Sequence, residues 1–216
     1  MLNFAGPQAA SRNGDLRPVR DRIIFDLGWS VGLRVEEVSR LKTLQFLSLT
    51  LDPTSLNTSL PIVIEGKGKK NRTIAVPSWL VKDVLAYCDE ERRELIKTAK
   101  IKSRDEPTAL FLGRLGSSKC GRPISKKRIQ GICEEACFAT GLIELREFFD
   151  SATGKRGIRR RAKHSYHDLR HTYAVYTYFV ERKLGNSEPW KKIQAQIGGP
   201  MEETRRFANR GEKLAR

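Results

Sequence analysis

The richest chemistry in the chain lies in one run, Lys163-His164-Ser165-Tyr166-His167-Asp168-Leu169-Arg170-His171, which holds all 3 histidines of the sequence. Ser165 with Asp168 three residues later has the form of a capping box, so the spacing predicts a helix opening at Ser165. His167 then falls in the first turn and Arg170 one turn on, along the same face. A helix N-terminus offers free N–H groups and the positive end of the helix dipole, both of which attract anions. A planar guanidinium grips two phosphate oxygens, and an imidazole exchanges a proton near neutral pH. The run suits a phosphate held beside a proton carrier. Two plainer readings compete: a structural helix with surface histidines, and a metal site using His164, His167 and His171, for which the glutamate of an HExxH helix is missing.

Two other segments carry charge at turn positions. Val31-Gly32-Leu33-Arg34-Val35-Glu36-Glu37-Val38 places an arginine just after a glycine turn, at a helix start, with the Glu37 carboxylate three residues later. Gly66-Lys67-Gly68-Lys69-Lys70-Asn71-Arg72 puts lysines on a hairpin tip. Arginine, then lysine on a β-turn, then HxLRH is an order that resembles the tyrosine recombinases and phage-type integrases. The first segment is similar to their T-G-L-R-x-x-E-L motif and the second to their G-K-G-x-K-x-R turn, and the likeness runs from about Asp21 to Phe207.

The resemblance implies a fold and a set of roles. The fold is α+β, a mostly helical tyrosine-recombinase catalytic domain with a small antiparallel β-sheet, over residues 17–216, with residues 1–16 as a linker or its remnant. Arg34 and Arg170 would clamp the scissile phosphate and stabilise charge on its oxygens. Glu37 would steady Arg34, and Lys67 would protonate the leaving 5′-oxygen, with Lys69 in that role if the alignment slips by two. His167 would move a proton to and from the nucleophile, supported by His171. Such chemistry is DNA strand cleavage and rejoining in site-specific recombination or integration through a 3′-phosphotyrosine, with no metal and no cofactor, by copies assembled on DNA.

The chain departs from the family pattern at its end. There the family has L-G-H-x-x-x-x-T-x-x-Y, with the tyrosine as nucleophile. Here Ile197-Gly198-Gly199 puts Gly199 at the histidine or tryptophan position, and Phe207 stands at the tyrosine position, three residues after Thr204. Phenylalanine has no hydroxyl to attack phosphorus. Of the 5 tyrosines, Tyr87, Tyr166, Tyr173, Tyr176 and Tyr178, none follows the family order, and the last three, with Val175 and Phe179, have helical packing spacing. A non-catalytic DNA-binding protein on the same fold is therefore the alternative reading.

Composition agrees with a polyanionic partner. The 216 residues include 41 Lys+Arg against 25 Asp+Glu, a formal net charge of +16, and phosphates bind such surfaces with release of counterions. Double-stranded DNA is the expected partner; an RNA-binding protein would share the charge but not the motif order. The expected DNA contacts are Lys69, Lys70 and Arg72 on the hairpin, the cluster Lys126, Lys127 and Arg128, and the acid-free run with Arg159, Arg160, Arg161 and Lys163. No apolar run approaches the ~20 residues of a spanning helix. The start, MLNFAGPQAASRNGD, lacks an apolar core preceded by basic residues, so a cytoplasmic, nucleoid-associated protein with its 4 cysteines as thiols is expected.

These groups need elements to position them. The pattern predicts a helix after Pro18 through Leu27, weakened or ended by Gly28 and Gly32, then a short helix from Arg34. Three short strands are expected at 46–51, 62–64 and 73–76, and a helix from Trp79 to Lys100 capped by Ser78. A strand at 108–112 and a helix from Ser125 to near Gly141 follow, the latter packing Cys133 and Cys137 on one face. Residues 142–163 read as irregular. Helices are expected from Ser165 to about Lys183, near 188–197, and over 201–214.

Overall fold

In a computed structural model, residues 1–8, 14–15, 17–52, 58–66, 68 and 70–198 are described. The centre is a helix, α2 (Val19–Val31), whose Ile23, Ile24, Phe25, Leu27 and Val31 are all fully buried. A helix apolar on most of its faces is a core helix. Its first N–H groups are met by the Glu91 carboxylate, 2.7 Å from the Val19 nitrogen, an anion at the positive end of the helix. Gly28 does not end it. The helix runs on to Gly32, which adopts the left-handed conformation at φ 75° and returns its N–H to the Gly28 carbonyl, while the next N–H, of Leu33, returns to Leu27.

Around α2 lie α1 (Leu2–Ala5), α3 (Val35–Arg40), α4 (Leu44–Leu47), α5 (Ser78–Tyr87), α6 (Arg93–Thr98), α7 (Lys126–Ala139), α8 (Tyr166–Lys183) and α9 (Pro189–Ile197). The strands form two separate antiparallel pairs, β1 (Ser59–Glu65) with β2 (Asn71–Pro77), and β3 (Ile143–Asp150) with β4 (Lys155–Ala162). The fold is α+β and mostly helical. The first pair follows its alternation: Ile62, Ile64, Ile74 and Val76 point into the core while Val63 stays exposed. Ser125 caps α7 through its hydroxyl, 3.2 Å from the Arg128 nitrogen, and Cys133 and Cys137 are buried on that helix.

Several expectations are corrected. The strand expected at 46–51 is instead the short helix α4, which buries Phe46 and leaves Leu44 and Leu47 exposed. Residues 108–112 form isolated bridges, Ala109 to Lys42 and Leu112 to Pro123, rather than a strand. Ser78 does not cap: its N–H and hydroxyl both donate to the Thr58 carbonyl, tying α5 to the start of β1. The helix expected from 79 to 100 carries a π turn at Cys88–Arg92 between α5 and α6. Residues 142–163, expected to be irregular, hold the paired strands β3 and β4 joined by a turn at 151–154, because an arginine-rich sequence can still form a hairpin when neither face must be buried. Within residues 1–16, α1 packs on α2 and α7 and buries Ala5. The helix expected over 201–214 lies outside the described residues. Among the described residues, no helix is long and apolar enough to cross a membrane.

Candidate phosphate site

α8 opens as its sequence suggests. Asp168 accepts from the Ser165 N–H at 2.7 Å and from its hydroxyl at 3.0 Å, fixing the first turn. His167 is exposed on that turn, and its ring meets His171 edge to face at 4.4 Å between centroids. Arg170 points the other way, into the protein, and is fully buried. α8 can approach α2 this closely because Gly28 has no side chain: a Cβ there would lie 2.9 Å from Leu169 and 3.0 Å from the Tyr166 hydroxyl. Gly32 is under the same constraint, with a Cβ position 2.7 Å from both Ile197 and Tyr173.

The Arg170 guanidinium is held by carbonyl oxygens. One terminal nitrogen donates to Gly32 at 2.7 Å, the other to Ile197 at 3.0 Å and Gly198 at 3.3 Å. Arg34, the residue before α3, sends its own terminal nitrogen to the same Ile197 oxygen at 3.3 Å. The structure thus brings Arg34 and Arg170 together on one oxygen, at the end of α9.

Glu37 supports this pair from below. Its carboxylate accepts from the Arg34 N–H at 2.8 Å and from the Arg34 side chain at 3.1 Å. Arg72 on β2 grips the same carboxylate with both terminal nitrogens, at 2.5 and 3.0 Å, and reaches the Gln196 carbonyl with Nε at 3.3 Å. Burial alone would raise the Glu37 carboxyl, but the hydrogen bonds from Arg72 and the Arg34 backbone, with the charge of both arginines, hold it below its ordinary value. Arg72 is therefore turned inward rather than toward an external phosphate. Gln196 closes the side of the site, its amide bonding the Ala75 N–H at 2.9 Å and the Ala75 carbonyl at 2.8 Å like an extra strand residue. Nothing in the sequence pattern marked Gln196; it lies at an ordinary helical position, and only its partners across the fold show its use.

The remaining expected residues fall into two groups. Lys67, Lys69, Gly199 and Phe207 lie outside the described residues. Lys70 and Lys127 are exposed, Lys126 pairs with Glu36 at 3.3 Å, and Arg128 pairs with Glu135. Arg159, Arg160, Arg161 and Lys163 are exposed on or just after β4. Tyr166 is buried with its hydroxyl donating to the Ile24 carbonyl at 3.0 Å, and burial pushes its ionisation well above the ordinary value. Tyr173 is raised by burial as well, whereas Tyr176 is 64% exposed and Phe179 partly so, contrary to the packing expected for both.

No family model matches the chain. Among curated proteins it is 29% identical over 187 residues to the tyrosine recombinase XerC of Halalkalibacterium halodurans, covering 86% of this chain and 48% of that protein. Among solved structures it matches the XerH site-specific recombinase bound to a palindromic difH substrate, in a post-cleavage complex, with a TM-score of 0.58 at 18% identity, over 99% of this chain and 47% of that one. It also matches the XerA recombinase, with a TM-score of 0.55 at 17% identity, over 91% of this chain and 55% of the other. The chain spans about half the length of the curated relative it matches.

Proposed function

We propose, from its likeness to the tyrosine recombinases and integrases, that residues 17–216 are a DNA strand-cleaving and rejoining domain of that family whose nucleophile position is occupied by Phe207. The observation that carries this reading is the convergence of Arg34 and Arg170 on a single oxygen, that of Ile197, with Glu37 fixing Arg34. Two guanidiniums on one oxygen form the pocket that a non-bridging phosphate oxygen requires. The Ile197 carbonyl holds that place here, so entry of a phosphodiester displaces the end of α9.

Once the phosphate is seated, each residue has a step. Arg34 and Arg170 offset the negative charge that builds on the non-bridging oxygens as phosphorus becomes five-coordinate. Lys67 delivers a proton to the departing 5′-oxygen, and His167 accepts the proton of the attacking hydroxyl. That hydroxyl would belong to a tyrosine at position 207. With Phe207 in its place the attack has no nucleophile, so this chain grips DNA without cutting it. Double-stranded DNA in the cytoplasm, with copies assembling on it, is the corresponding partner. The loss of the hydroxyl also supports the second reading, a DNA-binding protein without catalysis.

A nicked suicide duplex tests both. The unaltered chain is expected to bind it without a covalent band on a denaturing gel, and Phe207→Tyr to give one. Binding by both without a covalent product leaves the non-catalytic reading; no binding by either removes the DNA reading altogether.

A further inference from the structure

The β3–β4 hairpin packs little against the rest of the described fold. Apart from its own pairing, its main contact is that of β4 with α7. Each strand is eight residues long, so the ribbon extends about 26 Å at ~3.3 Å per residue. Both strands are exposed through most of their length. β4 runs into Lys163 and Ser165, so the base of the ribbon adjoins the first turn of α8 that carries His167.

Charge divides across its width. β3 carries Glu144, Glu147 and Asp150 against Arg146, whereas β4 carries Lys155, Arg156, Arg159, Arg160 and Arg161 and no acid. Its two faces also differ. The register sets Glu144 opposite Arg161, Arg146 opposite Arg159, Phe148 opposite Gly157 and Asp150 opposite Lys155 on one face. Much of that face is satisfied internally: Arg146 pairs with Glu144, Asp150 accepts from the turn at Ala152 and Thr153, and Phe148 lies over Gly157 and under the Arg159 guanidinium at 5.0 Å. The other face carries Leu145, Glu147, Phe149, Arg156, Ile158 and Arg160. There Leu145 is 68%, Phe149 63% and Ile158 68% exposed. Neither Arg156 nor Arg160 makes an ion pair among the described residues.

We propose that this hairpin is a DNA-reading arm that lies in the major groove, with the β4 edge along a phosphate backbone and the Leu145, Phe149, Ile158, Arg156 and Arg160 face on the base edges. The proposal rests on the DNA-binding reading above. A major groove admits a two-stranded ribbon, and its floor offers guanine acceptors to arginine, thymine methyls to apolar side chains and a cytosine amino donor to a carboxylate such as Glu147. An exposed face mixing arginine with isolated apolar groups matches that floor, and its acid-free edge matches a phosphate strand.

Guanine N7 protection from methylation reports the major groove directly. With the full chain bound to a mixed-sequence duplex, N7 protection is expected beside the bound site. It should disappear in a Leu145→Ser/Phe149→Ser/Ile158→Ser variant and separately in Arg156→Gln/Arg160→Gln, while thermal melting stays unchanged. Each variant should lower affinity at least tenfold. The same protection in all three proteins overturns the arm, as does unchanged affinity accompanied by an altered oligomeric state. Absence of DNA binding by the unaltered chain overturns the DNA reading itself, a result distinct from either.

Discussion

Arg170 and Arg160 carry the same group to opposite fates. Arg170 is fully buried and held by the Gly32, Ile197 and Gly198 carbonyls, part of a cluster in which Arg34 and Arg72 share the Glu37 carboxylate. Arg160 stands on an exposed ribbon and makes no ion pair among the described residues. A buried cation must be matched by oxygens because leaving it unmatched costs several kcal/mol. An exposed one tolerates being unmatched, since water serves it, and it is then free to exchange counterions for phosphates. On the proposed reading the interior cluster therefore contributes to stability as well as to gripping a phosphate, and the ribbon to binding alone.

Breaking the interior should produce the largest effect. Arg170→Ala takes a donor from three carbonyls, leaving Ile197 with Arg34 alone, and opens a cavity. It should cost about 3–5 kcal/mol, read as a fall in thermal midpoint of about 2–4 °C per kcal/mol. A midpoint unchanged within 2 °C contradicts the interior role. Glu37→Gln should cost about 2–3 kcal/mol, because Arg34 and Arg72 then face each other across a neutral group. The pH dependence has a definite sign. Glu37 is held below its ordinary value, so its stabilisation is complete above the unfolded value of about 4.3 and is lost as pH falls through the folded one. The stability gap between the unaltered chain and Glu37→Gln should close on acidification over that window.

Gly32→Ala sharpens the comparison at the junction of α2 with α8 and α9. It demands a left-handed alanine and a Cβ 2.7 Å from Ile197 and Tyr173. A loss of about 1–3 kcal/mol is expected, from strain and overpacking together. Smallest of all is the effect on folding of Arg159→Gln/Arg160→Gln/Arg161→Gln. These positions are exposed, and the triple change should move stability by less than about 0.5 kcal/mol for each.

The same contrast explains what sequence reading could reach. The capping box at Ser165 and Asp168, the glycine stop at Gly32 and the alternation of β2 are local rules, and each is found in the fold. Arg34 and Arg170 were identified through motif order, but their meeting at Ile197 spans 163 and 27 residues and has no local signature. Arg72 read as one more surface cation because its partner Glu37 is 35 residues away. At 46–51, alternating apolar residues gave a strand pattern, and burial of Phe46 in the core decided for α4 instead. The arm escaped notice for the opposite reason: with no face buried, β3 and β4 have no apolar alternation to see.

The central claim is that unmatched cations on β4 engage duplex DNA. It is tested most directly by measuring affinity against salt concentration for the intact chain and for Arg159→Gln/Arg160→Gln/Arg161→Gln. Each phosphate contact contributes about 0.9 to the slope of log affinity against log salt. A slope shallower by about 2 in the variant, from Arg159 and Arg161 on the phosphate edge, is the predicted result, and identical slopes for the two proteins contradict the account.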